Sequence, residues 1–186
     1  GQLLNLRRHK SAGRGRLGRS WQSPFAASLA GSLLWRFHLP AAALSGLSLA
    51  TGIAVARALR SFGVAEVGLK WPNDVWWRER KLGGILLESS GGPDVFAVVT
   101  GVGLNVALPP SAATAIDQPW VDLREILGVE PISRNRLAAL LISALIETFV
   151  RFQEGGFADL AAEWAEFDRV AGRRVCLTLP NTTLIG

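Results

Sequence analysis

Apolar residues recur along this chain in two rhythms, one suited to strands and one to helices. Ala27 to Leu39, ASLAGSLLWRFHL, alternates imperfectly but has a strand-like core, with Ser32 to Phe37 the expected strand and Pro40 its stop. From Ala43 to Phe62 the spacing becomes helical. Leu44, Leu47, Ala50 or Thr51, Ala54, Ala58 and Phe62 share a face, and Gly63 is placed to end the helix. EVGLKW then reads as a short strand, and PNDVWW turns into another, with RER at a hairpin tip. KLGGILLES and VFAVVTGVGLNV are two further strands separated by the turn SGGPD.

Pro109 to Gln118 is a loop without periodicity, Val121 to Leu127 a short helix, and Ser133 a candidate cap for the next helix. In that helix Leu137, Leu140, Leu141, Ala144, Leu145, Thr148, Phe149 and Phe152 form one stripe ahead of Gly155 and Gly156. Phe157, Leu160, Ala161, Trp164 and Phe167 repeat the pattern in a last helix, after which RRVCLTLP starts a strand. Strands joined in succession by short turns favour an antiparallel or mixed sheet over a doubly wound one. The expected fold class is α+β: a mixed or antiparallel sheet packed against helices on one face, its other face partly open for a ligand.

Composition narrows this picture without changing it. The 186 residues are 49% hydrophobic and 19% charged, which is a globular balance with room for one domain and at most a fragment of another. The formal charge is +5, and only Lys10, Lys70 and Lys81 contribute as lysines; the remainder is arginine. That charge suits an anionic ligand but is too diffuse to establish nucleic-acid binding. The single Cys176 forms no internal disulfide, and no Cys/His cluster has zinc-site spacing, so a reducing, cytoplasmic setting is expected. Leu39 to Ala56 is uncharged and just long enough to prompt a membrane-span check, but its proline, glycines and hydroxyls favour a buried helix. The N-terminus GQLLNLRRHK has no signal-peptide pattern, and its opening on Gly1 is read as the mark of a fragment.

Four segments join a turn to chemistry-bearing groups: GRGRLGRSW (Gly13–Trp21), KWPNDV (Lys70–Val75), KLGGILLE (Lys81–Glu88) and GVGLNV (Gly101–Val106). The first sets arginines, forked and permanently charged, on a glycine-rich backbone, a composition for a loop that closes over an anion. Its plain alternatives are a solvated turn or an Arg-Gly grip on nucleic acid. PND is also a common turn, LGG a common bulge, and a lysine at a strand end is often simply solvated.

In this order the four segments resemble the catalytic domain of the bacterial biotin–protein ligases. The likeness runs from about Ser11 to Pro180 and includes SPF, GLSLATGIAVARAL, RNRLAALLISALIETFVRF and GGFADLAAEW. The resemblance implies a fold of the class II aminoacyl-tRNA synthetase and biotin-ligase kind. It implies an enzyme that joins biotin and ATP into biotinyl-AMP, with Mg²⁺, and passes the biotinyl group to a lysine of the biotin carboxyl carrier protein of acetyl-CoA carboxylase. Lys81 and Arg16 carry over as the catalytic pair. Biotin contacts carry over to Ser11, Gly13, Arg14, Gly15, Arg16, Lys81, Gly83 and Gly84, the last two keeping the strand open for the biotin ring. ATP contacts carry over to Arg14, Arg16, Arg19, Trp21, Lys70, Asn73, Asp74, Lys81 and Asn105, with Asp74 also helping to hold Mg²⁺. The Arg-Gly loop of the family folds over the adenylate, and Arg16 is the residue linked to retaining it.

The resemblance also divides the chain into residues 1–172, a catalytic domain lacking its usual N-terminal segment, and 173–186, the first strand of a truncated C-terminal SH3-like domain. The family's upstream Ser/Thr-Thr-Asn segment has no room ahead of Gly13, and Lys10, beside Ser11, stands where a glutamine is expected. Buried polar groups of the ligand left unpaired cost roughly 1–3 kcal/mol each, so weakened biotin binding is expected of this chain. No helix-turn-helix precedes the catalytic part, so a DNA-binding role has no support, and no membrane partner is expected. Related ligases often pair through sheet edges, which leaves a homodimer open. Two further readings stand beside the main one: a lipoate or octanoate ligase of the same fold, and a catalytically impaired ligand-binding remnant.

Overall fold

The computed structural model describes residues 3–7, 13–14, 20–21, 27–92, 94–110, 116, 118–179 and 182–186. Its strands are β1 (Leu3–Arg7), β2 (Gly13–Arg14), β3 (Ser20–Trp21), β4 (Ser28–Phe37), β5 (Val67–Lys70), β6 (Asp74–Trp77), β7 (Arg80–Gly91), β8 (Phe96–Asn105), β9 (Cys176–Leu179) and β10 (Thr182–Ile185). The helices are α1 (Leu47–Phe62), α2 (Leu123–Leu127), α3 (Arg134–Gly155) and α4 (Ala161–Phe167). Six strands form one sheet in the order β1-β4-β8-β7-β6-β5, and every neighbouring pair is antiparallel. The α+β expectation with helices on one face holds.

Strand alternation separates the two faces of the sheet. Leu33, Trp35 and Phe37 of β4, Val98, Val102 and Leu104 of β8, Ile85 of β7 and Val75 of β6 are buried under the helices. Trp35 and Phe37 meet Phe149 of α3 edge-on, with ring centroids 5.7 and 5.4 Å apart, and Phe37 meets Phe152 at 6.0 Å. Such aromatic pairs contribute about 0.5–1.5 kcal/mol each beyond their buried area, which fixes α3 across β4. The intervening residues, among them Ser32, Leu34, Arg36 and Val99, point to the opposite, open face.

α1 answers the membrane question raised by its sequence. With the 3-10 turn Ala41–Leu44 before it, the helix is long and apolar enough to cross a bilayer, yet ten of its sixteen residues are buried inside the protein. Gly46, at φ 83°, breaks the expected helix 43–62 into that turn and α1, while Gly63, at φ 119°, ends it as anticipated. Ser133 sits at the start of α3 but its hydroxyl makes no capping bond, against expectation; the working cap belongs to α2, where Asp122 accepts from Glu125 N at 2.9 Å.

Two further differences concern the ends. Leu3–Arg7 forms an edge strand in register with β4, Arg7 opposite Ala30, which the sequence reading left unassigned. The tail forms two strands that pair with each other and not with the main sheet, where one strand was expected. The opposite sheet edge, β5, is closed by the end of α4: Asp168 bridges Leu69, and Arg169 N donates to Leu69 O at 2.9 Å.

Candidate functional site

The open face carries a continuous cross-strand row. In register, Arg7 opposes Ala30, Ala30 opposes Gly103, Gly103 opposes Gly84, Gly84 opposes Asp74, and Asp74 opposes Lys70. Residues paired in this way share a face, so the middle of the row is a floor of Ala30, Gly103 and Gly84 with almost no side-chain bulk. Its far end is charged. A neighbouring row continues the floor through Ser32, Gly101 and Leu86.

A β-bulge delivers Lys81 to this face. Val75 pairs with Gly83 and Trp76 with Lys81, so Leu82 is the extra residue; its side chain is fully buried in the core. Lys81 Nζ then reaches diagonally to Asp74 Oδ1 at 2.8 Å, and both side chains are 18% exposed. A charge-assisted contact of this length fixes the ammonium over the floor, where an anionic ligand group would meet it. Lys70 Nζ lies 4.7 Å over the Trp76 ring on the same face, a cation–π contact that sets a second cation near the carboxylate.

The backbone of Lys81 is equally constrained. Its N–H donates to Pro119 O at 2.9 Å, its carbonyl accepts from Val121 N at 3.0 Å, and Trp120 is its parallel bridge partner. Asn105, 4% exposed, donates through Nδ2 to Lys81 O at 3.3 Å and Val121 O at 3.1 Å. Asp122 then ties the start of the loop to its end by accepting from Leu108 N at 2.8 Å. The segment read as a featureless loop from Pro109 to Gln118 therefore leaves and rejoins the fold beside Lys81. Only the two registers with Lys81 show this, and no periodicity in the sequence could have.

The structure sorts the remaining predicted residues. Lys70, Asp74, Lys81 and Gly84 come together on the open face. Asn73 stands at its rim, where its main chain and side chain both bond Ile85: Ile85 N donates to Asn73 O at 2.9 Å, and Asn73 Nδ2 donates to Ile85 O at 2.8 Å. Both Nδ2 protons of Asn105 go to main-chain carbonyls, so its contribution to a ligand is limited to Oδ1. Gly83 is a correction. A Cβ there would come within 2.5 Å of Gly103 O and Leu104 Cδ2, so Gly83 makes room for packing on the helix-covered face and does not border the open floor. Gly13 and Trp21 pair across β2 and β3, as do Arg14 and Ser20, which closes the ends of the Arg-Gly loop. Ser11, Gly15, Arg16 and Arg19 lie outside the described residues, as does Lys10.

One residue the sequence reading missed belongs here. Ser28, in register with Asn105 and 1% exposed, has a buried hydroxyl without a hydrogen-bond partner. Buried hydroxyls are usually satisfied, so an unpaired one in register with Asn105 stands out.

The donor set around Asp74 bears on the expected Mg²⁺. Asp74 is a single carboxylate, it is paired with Lys81, and among the described residues no three His, Cys, Asp or Glu side chains gather to hold a metal. Mg²⁺ takes one or two carboxylates in company with substrate phosphates and several waters. Asp74 by itself therefore makes no resident metal site, and it suits Mg²⁺ only as one ligand beside substrate phosphates.

Comparison with known proteins gives a consistent answer. Residues 1–105 match the biotin/lipoate A/B protein ligase family. The bifunctional ligase/repressor BirA of Escherichia coli (strain K12) is 39% identical over 179 residues, covering 96% of this chain and 55% of that protein. The biotin–[acetyl-CoA-carboxylase] ligase of Paracoccus denitrificans is 37% identical over 170 residues, covering 88% of this chain and 70% of that protein. The biotin protein ligase from Aquifex aeolicus, solved in complex with biotin and ATP, superposes with a TM-score of 0.81 at 28% identity, over 98% of this chain and 75% of that one. The chain thus spans about half the length of its BirA relatives.

Proposed function

The chain belongs to the biotin/lipoate A/B protein ligase family, and from that membership we propose that it activates biotin with ATP and transfers the biotinyl group to a lysine of a carrier protein. The observation that carries this reading is the Lys81–Asp74 pair, 2.8 Å apart at the edge of a glycine floor on the open face of the sheet. A fused bicycle packs closely on a floor without side chains, and the carboxylate at the end of its chain needs a fixed cation.

In the first step a carboxylate oxygen of biotin attacks the α-phosphorus of ATP. A new P–O bond forms, the bond to the bridging oxygen breaks, and pyrophosphate leaves with the electron pair. Two anions must meet, so preorganised cations are the main catalytic device. Lys81 stands at the carboxylate and the reacting phosphate, and Lys70 on the nucleotide side. Arg14, Arg16 and Arg19 close over the adenylate from the Arg-Gly loop, with Arg16 retaining it. Gly13, Gly15 and Ser11 border biotin, Trp21 and Asn105 the adenine, and Asn73 supports the turn that presents Asp74. Mg²⁺ enters with the triphosphate as part of the substrate. In the second step the lysine amine attacks the acyl carbon, the C–N bond forms, the C–O bond to AMP breaks, and the ammonium proton is lost to solvent.

The acceptor in this reading is the biotin carboxyl carrier protein of acetyl-CoA carboxylase, and the setting is the cytoplasm. Residues 1–172 act as the catalytic unit, and residues 173–186 as a separate small β unit. The test is biotin-dependent exchange of pyrophosphate into ATP. Exchange with biotin and none with lipoate is expected. Exchange with lipoate or octanoate alone would replace biotin as the substrate, and none with any of them would support a ligand-binding remnant.

A further inference from the structure

The KWPND turn contains one residue that the ligase chemistry leaves unused. Trp71 is 48% exposed, and no other tryptophan among those whose side chains are described stands so far into solvent. It is displayed rigidly. Lys70 on one side is in register with Asp74, Pro72 O on the other accepts from Ser48 Oγ at 3.0 Å, and Asn73 is bonded twice to Ile85 at 2.8 and 2.9 Å. An indole left in water on a flexible loop would signify little. Held on a pinned turn beside Lys70, and three positions from the carboxylate that fixes Lys81, it has the form of an interface anchor. Tryptophan is enriched among the few residues that dominate protein–protein binding, because a large rigid ring gains much contact area at little entropic cost.

Trp71 lies past the end of β5, on the turn and off the floor of Ala30, Gly103 and Gly84. A small substrate seated on that floor does not need it; a macromolecule reaching over the rim does. We propose that Trp71 is the aromatic anchor on which the protein bearing the acceptor lysine docks. The inference rests on the ligase reading above. The neighbouring Lys70 and the net charge of +5 select an acceptor with an acidic surface around an apolar spot, positioned so that its lysine reaches the acyl group beside Lys81.

The experiment compares Trp71→Ala and Trp71→Phe with the parent chain in three assays: biotin-dependent pyrophosphate exchange, biotinyl transfer to hydroxylamine, and transfer to the apo carrier protein. Exchange and hydroxamate formation should stay within about twofold, which also shows that the variants are folded. For the carrier, kcat/KM should fall about tenfold or more in Trp71→Ala, mainly through KM, with partial recovery in Trp71→Phe. An equal fall in exchange would overturn the proposal by assigning Trp71 to the adenylation site. Unchanged carrier kinetics would overturn it by showing no contact. A parent chain without exchange would remove the ligase reading itself, a distinct failure with which the docking proposal also falls.

Discussion

Lys81 Nζ and Asp74 Oδ1 lie 2.8 Å apart although their α-carbons are not cross-strand partners; Lys81 opposes Trp76, and Asp74 opposes Gly84. The diagonal contact exists because the bulge at Leu82 turns Lys81 onto the open face. If Asp74 acts by holding Lys81, the two should behave as a unit. Lys81→Ala is expected to lower pyrophosphate exchange about 10²–10³-fold, the typical loss of one preorganised donor. Asp74→Asn should cost roughly tenfold, and the double variant no more than Lys81→Ala alone. Multiplicative losses in this cycle would separate the two residues.

The adjacent glycines Gly83 and Gly84 should give opposite phenotypes. A methyl at Gly83 meets Gly103 O and Leu104 Cδ2 at 2.5 Å in the packed core, so Gly83→Ala is expected to destabilise by about 1–3 kcal/mol. Gly84 faces the open floor between Gly103 and Asp74. Gly84→Val should leave the melting temperature nearly unchanged and raise the biotin KM more than tenfold. Calorimetry and exchange kinetics on both variants check this, and swapped phenotypes would show that the bulge does not set which of the pair faces the floor.

That division explains what could and could not be read from the sequence. Lys70, Asp74 and Lys81 were legible because each stands in a turn-plus-strand motif whose local pattern survives folding. The helices α1 and α3 were legible because their apolar stripes are long. Gly83 was misread because a single inserted residue, Leu82, reverses the facing of its neighbours, and alternation alone cannot locate a bulge. β1 was missed because five residues at a sheet edge gain their structure from β4, more than twenty positions away. Ser28 and the segment around Trp120 were missed for the same reason: their importance comes from which residues lie opposite them. The Ser133 cap failed because the residue type permits a capping bond and does not ensure one.

Glu66 gives a pH-dependent prediction at the β5 end. A hydrogen bond from Arg78 holds its carboxyl below the ordinary carboxylate value against slight burial, and the charges of Arg78 and Arg169 act the same way. Because the folded-state value is depressed, the contact stabilises above the unfolded-state pKa and is lost as pH falls through the folded-state value. NMR titration should place the Glu66 midpoint below that of a free glutamate, and Arg78→Gln should move it upward. A midpoint unmoved by that substitution would exclude Arg78 as the cause. Both groups are well exposed, so global stability should barely register the change.

Of the three buried hydroxyls without partners among the described residues, Thr100 Oγ1 and Ser28 Oγ should respond in instructively different ways. Thr100 is fully buried in β8 on the covered face, opposite Leu33, and borders a small apolar cavity beneath α3 lined by Leu29, Val102, Leu141 and Leu145. An unpaired hydroxyl there only costs desolvation, so the isosteric Thr100→Val should stabilise by about 1 kcal/mol, raising Tm by roughly 2–4 °C, with unchanged exchange kinetics. Ser28 is nearly as buried but faces the site beside Asn105. Ser28→Ala should bring a similar gain in Tm, together with a rise of several-fold in the KM for ATP or biotin if the hydroxyl pairs with a substrate. Stability gained at the cost of binding is the signature of a site residue. If both substitutions raise Tm and neither moves a KM, Ser28 is a packing defect like Thr100, and the polar part of the site begins at Asn105.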